Sequence, residues 1–600
     1  MILVALLLVP SLMQAADTIR HTIRFPNPET HYAEMEVVVP TGGQDSIELM
    51  MAVWTPGSYL VRDYSGKMES ERAETLDGRP LAVRKSAKNR WEIEAKGEDS
   101  VRFSYKLYCR EMAVRSNWVE ADFAIIVGAA TFLTVAAKGG GFIDAAHEVR
   151  LELPDGWAKS HSSMPITDGA YVATDFHELL DSPILAGDLA EYAFDIEGVE
   201  HTLVNLGEGA VWDGPKSAAD VETIARMEVE FWGSLPYSNY SFLNAITETG
   251  GGLEHKNSTL VMTSRWATET REAYLRWMYL ISHEFFHTWN VKRLRPVELD
   301  DFDYERENYT TGLWIAEGLT SYYDPLLVRR AGLSTRKEYL KELSKEIDTL
   351  ESSPGRLTQG LSASSFDAWV KYYRRSENTA NSVVSYYGKG ALVGWLLDAH
   401  IRRATNNAKN LDDVMRLAYE RYSGDTGYTQ DEFRQVISEV AGSDLSDWIA
   451  KRVDEPGELS YDEAMEWVGL RFAPPKEEDA EPKAWLGITT TQQGGRVIAS
   501  RVRRGSPAHA AGINPEDEIL AINGYRVPAD GLSDRLKAFS PGDELTVLVS
   551  RRERVVSLSV TAGAAPSEDR WKLEVDPEAT EDQTRRLDTW LGEELAASTH

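Results

Sequence analysis

The chain has 600 residues, 42% apolar and 10% aromatic, so it is ordinary folded protein, too long for one core, and three or four domains are expected. A formal charge of −31 argues against nucleic acid and anionic membrane surfaces as partners and is otherwise the mark of a well-solvated surface. Cys109 is the only cysteine, which rules out an intramolecular disulfide and a cysteine-ligated metal cluster.

Residues 1–16, "MILVALLLVPSLMQAA", carry an apolar run followed by small residues and read as a secretory signal peptide, too short to span a bilayer. A buried N-terminal strand is the alternative. No later segment reaches transmembrane length, and the expected location is secreted or periplasmic. From 17 to 200 the runs "HTIRF", "YAEMEVVVP", "SIELMMAVWTP" and "VRFSYKLYC" alternate or are β-branched, with Gly, Pro, Asn and Asp between them. They predict a β-sandwich-like domain. From 201 to 472 the spacing turns helical, as in "REAYLRWMYLISHEFFHTWN" and "TQDEFRQVISEVAG". Residues 473–483, rich in Pro and charge, read as a linker. Short strands return over 484–563. The end, 564–600, predicts an acidic tail with an exposed amphipathic helix in "TEDQTRRLDTWLGEEL". The fold class is multidomain α+β.

In "YLISHEFFHTWNVKRLRP", His283 and His287 stand four apart and so share one helical face, as two zinc ligands must. Glu284 follows the first and could take a proton from bound water. With 12 histidines in the chain, chance gives His-Glu-x-x-His only about 0.02 times. The alternative is a core helix whose histidines are satisfied by backbone or carboxylates. A catalytic centre needs a third protein ligand and an open fourth position. Asn290 and Arg293 stand where a metzincin would place its glycine and third histidine, which excludes that class. Glu317 lies inside the apolar stretch "TTGLWIAEGLTSYYDPLLVRRAG", where a lone carboxylate is costly unless coordinated or paired in a salt bridge.

"HEFFHTWN" with "WIAEGLTSYY" resembles the gluzincin zinc peptidases, in which a Glu-Gly pair on a second helix supplies the third ligand. "TGGGLEHKNST" is similar to the Gly-x-Met-Glu-Asn segment of M1 aminopeptidases, with Leu253 and His255 replacing Met and Asn. The M61 glycyl aminopeptidases are nearer still, sharing the Gly-Gly-Leu-Glu-His form, the His-Glu-x-x-His-x-Trp-Asn run, a "PGSYLVRDYS"-like segment and a terminal PDZ domain. The resemblance implies a thermolysin-like, mainly helical catalytic domain and one Zn2+ per chain held by His283, His287 and Glu317. Glu284 would be the base. Glu254, on an edge with Gly251 and Gly252, would face the substrate's α-amine; a surface carboxylate after a flexible turn is its bland alternative. "SVVSYYGKGALVGWLL" resembles the M1 Tyr-Glu-Lys-Gly segment, with Gly388 in place of its glutamate. It would make Tyr387 the oxyanion donor. Two core-edge tyrosines, Tyr386 and Tyr387, would look the same in sequence.

"RVRRGSPAHAAGINPEDEILAINGYRV" looks like a PDZ domain, and Leu486, Gly487 and Ile488 of "AWLGITT" would form its carboxylate loop for a C-terminal peptide. A PDZ packed only on its own chain is the alternative. The linker is expected to separate this module from every residue assigned to chemistry. The reading is a zinc aminopeptidase acting on peptide or protein substrates, with glycine or alanine first as the family implies. An endopeptidase of the same fold, and a peptide-binding adaptor with a vestigial metal site, are its rivals.

Overall fold

The computed structural model describes residues 18–474, 483–529, 531–566 and 570–593. The signal peptide expected over 1–16 and most of the expected linker lie outside them. The chain forms two compact units. Of the described residues, the first takes 18–222, 234–288 and 302–308; the second takes 223–233, 289–301 and those from 309 onward.

The first unit opens with the expected sandwich. Tyr32–Pro40 and Ser100–Tyr108 pair antiparallel, and the register sets Met35 opposite Tyr105 and Val37 opposite Phe103. These inward side chains are all buried, as period-two alternation requires. Both strands belong to an eight-stranded sheet. A four-stranded sheet faces it, and Trp91 from that sheet packs at 6.2 Å from Phe103. A mixed five-stranded sheet follows in the order Leu189–Ile196, Val199–Leu206, Asn239–Thr247, Ser258–Ser264, Gly251–Glu254. Its third strand is parallel to both neighbours and buried along eight of nine residues, the apolar run of a strand covered on both faces. Helix Arg271–Phe286 lies on this sheet. Thr270 caps it by accepting from the Ala273 amide, and Phe285 meets Tyr240 at 4.8 Å and Phe242 at 5.1 Å.

The second unit is mainly helical around the buried helix Gly388–Ala404. Its surface helices start on capping boxes, Thr335 with Glu338, Asn410 with Asp413, and Thr429 with Glu432. The module from Ala484 to Ala564 has its own apolar core and an antiparallel sheet ordered Ile488–Gln493, Arg496–Val502, Glu518–Ile522, Glu544–Arg551, Arg554–Thr561.

Two expectations are corrected here. The C-terminal helix exists, as Glu581–Leu591, but it is not exposed. Its stripe of Leu587, Trp590 and Leu591 is buried, Trp590 stacks 6.2 Å from Trp395, and its indole donates to the Tyr322 hydroxyl. Strand Leu470–Phe472 also pairs with Leu573–Val575, so the module is an insertion in the helical unit, with Ala484 opposite Ala564 where the chain enters and leaves. Nor is the module separate from the chemistry expected nearby. Asn381, six residues before Tyr387, donates to the Val502 carbonyl and accepts from the Arg504 amide, both at 2.8 Å.

Candidate metal and catalytic site

In the first unit, Glu284 and His283 sit in the last turn of helix Arg271–Phe286, and His287 caps it with helical backbone angles. The i, i+4 spacing stacks the two imidazoles edge to face, and their Nε2 atoms converge to 3.1 Å. Two ring nitrogens at that distance can share one proton at most, while a cation can take both lone pairs. The helix packs against edge strand Gly251–Glu254, which brings Glu254 in. Glu254, Glu284 and His287 each present a ligand atom within 4.8 Å of the others, and all three are buried. The paired imidazoles offer two nitrogen donors to a metal ion, and the carboxylates of Glu254 and Glu284 flank them. The donors, imidazole nitrogen with carboxylate oxygen, suit zinc.

Glycines shape the cluster. A Cβ on Gly252 would stand 2.0 Å from Glu284 Oε1, so bare backbone is what lets the Glu284 side chain lie across the strand. Gly57 does the same for Glu254. Its Cβ would fall 2.4 Å from Oε2, and its φ of +83° is one that few side chains tolerate. The "PGSYLVRDYS" segment thus folds over Glu254, whose Oε1 is buried with no hydrogen-bond partner. Gly251–Glu254 is the outer strand of its sheet, pairing only with Ser258–Ser264 among the described residues. Its far edge can take an added strand. His255, next in sequence, is held by Asp181 at 3.1 Å.

In the second unit, Glu317 is 1% exposed on a π-helical turn, Trp314–Leu319, which runs into helix Thr320–Arg330. The wide turn is held by Asn290, whose amide donates to the carbonyls of Ile315 and Ala316 and to Thr320 Oγ1. Gly318 and Gly390 then meet backbone to backbone, a Cβ on either falling 2.7 Å from the other's Cα. That approach sets Tyr387 beside Glu317. Burial, then the Glu317 charge, pushes the Tyr387 phenol well above its ordinary range, so it remains a proton-bearing donor. Tyr386, buried, stacks on it at 4.7 Å.

In the inserted module, Leu486 and Gly487 form the turn into outer strand Ile488–Gln493. Gly487 has φ +78° and leaves no room for a Cβ beside Ser506, while its carbonyl accepts from the Arg503 amide at 2.9 Å.

The structure brings Glu254, Glu284 and His287 together in one cluster and sets Tyr387 beside Glu317 in another. Sequence reading missed Gly57 and Asn290. The only signals were a Pro-Gly-Ser turn and an asparagine beside the histidine motif, and neither names its partner.

The order of these domains is shared with known proteins. The chain matches the M61 glycyl aminopeptidase model over residues 276–393, the peptidase M61 N-terminal domain over 20–188, and the PDZ domain over 484–562. It is similar to an aminopeptidase N family protein from Idiomarina loihiensis at 28% identity and TM-score 0.88, covering 96% of this chain and 100% of that one. An M1 zinc metallopeptidase from Deinococcus radiodurans matches at 12% identity and TM-score 0.45, over 74% of this chain and 95% of that one. A probable periplasmic serine endoprotease, DegP-like, from Hahella chejuensis is 27% identical over 155 residues, 21% of this chain. The match spans 32% of that relative's length.

Proposed function

Starting from a chain that carries the M61 N-terminal, glycyl aminopeptidase and PDZ domains, we propose that it is a zinc-dependent aminopeptidase cleaving the first peptide bond of peptides with a free N-terminus. Glycine or alanine is the first residue it would favour. The observation that carries the reading is Glu254: a buried carboxylate with one oxygen unpartnered, on an open strand edge, beside Glu284 and His287. A buried unpaired carboxylate is costly, and a substrate ammonium relieves that cost.

One Zn2+ per chain would be held by His283, His287 and Glu317. When bound, the metal supplies a Lewis acid and a water whose pKa falls to roughly 7. The chain's own residues do the rest. The open edge at Gly251 and Gly252 takes the substrate backbone as an added strand, and Glu254 fixes its amine. Glu284 accepts a proton from the attacking water at a carboxylate oxygen and passes it to the leaving amine nitrogen. Tyr387 donates its phenol hydrogen to the oxygen that becomes negative in the transition state. Leu486, Gly487 and Ile488 would bind the C-terminal carboxylate of a peptide partner. No helix among the described residues is long and apolar enough to cross a membrane, and the proposed location is secreted or periplasmic.

Metal analysis and hydrolysis, measured together, test the reading. Purified protein should hold one zinc per chain, cleave alanyl-p-nitroanilide, lose that activity to a chelator and regain it with zinc. Activity that survives complete metal removal would refute it.

A further inference from the structure

We propose that Asn381 is a positioning residue for Tyr387 and that the partner it positions against is the inserted PDZ domain. The inference rests on Tyr387 being the oxyanion donor proposed above. Asn381 belongs to the single helical turn Thr379–Ser382 that leads into the Tyr386–Tyr387 segment, and it is 5% exposed. Its amide makes a two-point contact with one turn of the PDZ domain. Nδ2 donates to the Val502 carbonyl and Oδ1 accepts from the Arg504 amide, each at 2.8 Å. A side chain that satisfies a backbone donor and a backbone acceptor at once fixes the spacing between two pieces of chain in the way a sheet ladder does.

From Asn381 to Tyr387 the chain has little freedom. Val383 passes so close to Gly355 that a Cβ there would sit 2.1 Å from its carbonyl oxygen. The Val384 amide donates to Gln359 Oε1 at 3.2 Å, and the Tyr386 carbonyl lies against Gly318. A shift at Asn381 is therefore passed along the segment to the phenol. The PDZ side of the contact is equally constrained. The Ser506 amide donates to the Arg503 carbonyl at 3.1 Å and Gly505 has φ +77°, which makes Arg503–Ser506 a type II turn. The same Arg503 donates its amide to Gly487 of the carboxylate loop. One tight turn thus joins the peptide-binding loop to the Tyr387 segment through Asn381.

The turn supplies a clean test. Proline suits the second position of a type II turn, so Arg504→Pro keeps the turn while its ring carbon replaces the N–H that Asn381 accepts from and pushes Oδ1 away. Arg504→Ala keeps that N–H and removes only the guanidinium, which reaches Thr358. In full-length, zinc-loaded enzyme on alanyl-p-nitroanilide, Asn381→Ala and Arg504→Pro should each lower kcat roughly tenfold or more with KM within twofold, because Tyr387 acts only in the transition state. The double variant should be no worse than either single one. Hydrogen exchange across residues 379–388 should quicken in both variants and stay at the wild-type rate in Arg504→Ala. Wild-type kcat and exchange in Asn381→Ala would overturn the proposal, as would additive losses in the double variant. An equal loss in Arg504→Ala would also overturn it by moving the role to the guanidinium. If wild type cleaves nothing, the aminopeptidase reading fails by itself, and the exchange data still decide whether Asn381 holds the segment.

Discussion

Gly252→Ala places one methyl group against the proposed base and touches no proposed ligand. Its Cβ would stand 2.0 Å from Glu284 Oε1, 2.5 Å from Cδ and 2.6 Å from Cγ. Ordinary contact needs about 3.5 Å, so the carboxylate must retreat by roughly 1.5 Å. A displacement of about 1 Å at a reacting group costs on the order of a hundredfold, or about 2.7 kcal/mol of transition-state stabilisation. Gly252 lies in a paired strand with φ outside the left-handed region, so alanine brings no backbone strain. The assay is kcat and KM on alanyl-p-nitroanilide, with zinc content and far-UV circular dichroism on the same preparations. The expected result is about a hundredfold loss in kcat with metal and fold retained. Gly250→Ala is the control, since the nearest atom to its Cβ would be 3.9 Å away. A Gly252→Ala enzyme with wild-type kcat would show that Glu284 does not need its observed place and would refute the base assignment.

Glu284→Gln should keep zinc and lose nearly all turnover, whereas His283→Ala and Glu317→Ala should lose zinc; metal analysis of the three proteins checks this. Trp590→Ala should destabilise the helical unit by about 3–5 kcal/mol, read as a lower denaturation midpoint, because it empties a fully packed site and strips Tyr322 of a donor. A change under about 1 kcal/mol would return that helix to the surface. In the N-terminal domain, burial lowers the His147 pKa from 6.5 to about 4, and its partner His21 is lowered too, by burial and then by His147. The unfolded chain then binds the proton more tightly, so stability is lost as pH falls from 6.5 towards 4, about 2 kcal/mol by pH 5 for His147. Denaturation at pH 7 and pH 5 should show His147→Gln losing that share; equal acid sensitivity would contradict it.

Features carried by short-range pattern were legible in the sequence. Alternation over Tyr32–Pro40 marked it as a half-buried strand, and the spacing of His283 and His287 put both on one helix face. Glu317 stood out as a charge in an apolar run. What pattern could not show was contact between distant segments. Gly57 lies against Glu254 and Asn290 holds the turn of Glu317, each across the fold, and neither residue type advertises a partner. The C-terminal helix misled because three apolar residues among acidic ones resemble a surface helix. Their partners, Tyr322, Tyr339 and Trp395, come from helices far upstream. Linear order likewise hid the insertion, because only strand pairing shows Leu573–Val575 returning to Leu470–Phe472.

The most direct test of the central claim is the ratio of kcat/KM for a free peptide to that for its N-acetylated twin, measured in wild type and in Glu254→Ala. Acetylation removes the ammonium and leaves the buried Glu254 carboxylate unpaired, which costs on the order of 3–5 kcal/mol, or roughly a hundredfold to a few thousandfold. Wild type should favour the free peptide by that factor, and Glu254→Ala should lose most of the preference while keeping zinc. Equal cleavage of both peptides by wild type would contradict an aminopeptidase and point to an endopeptidase.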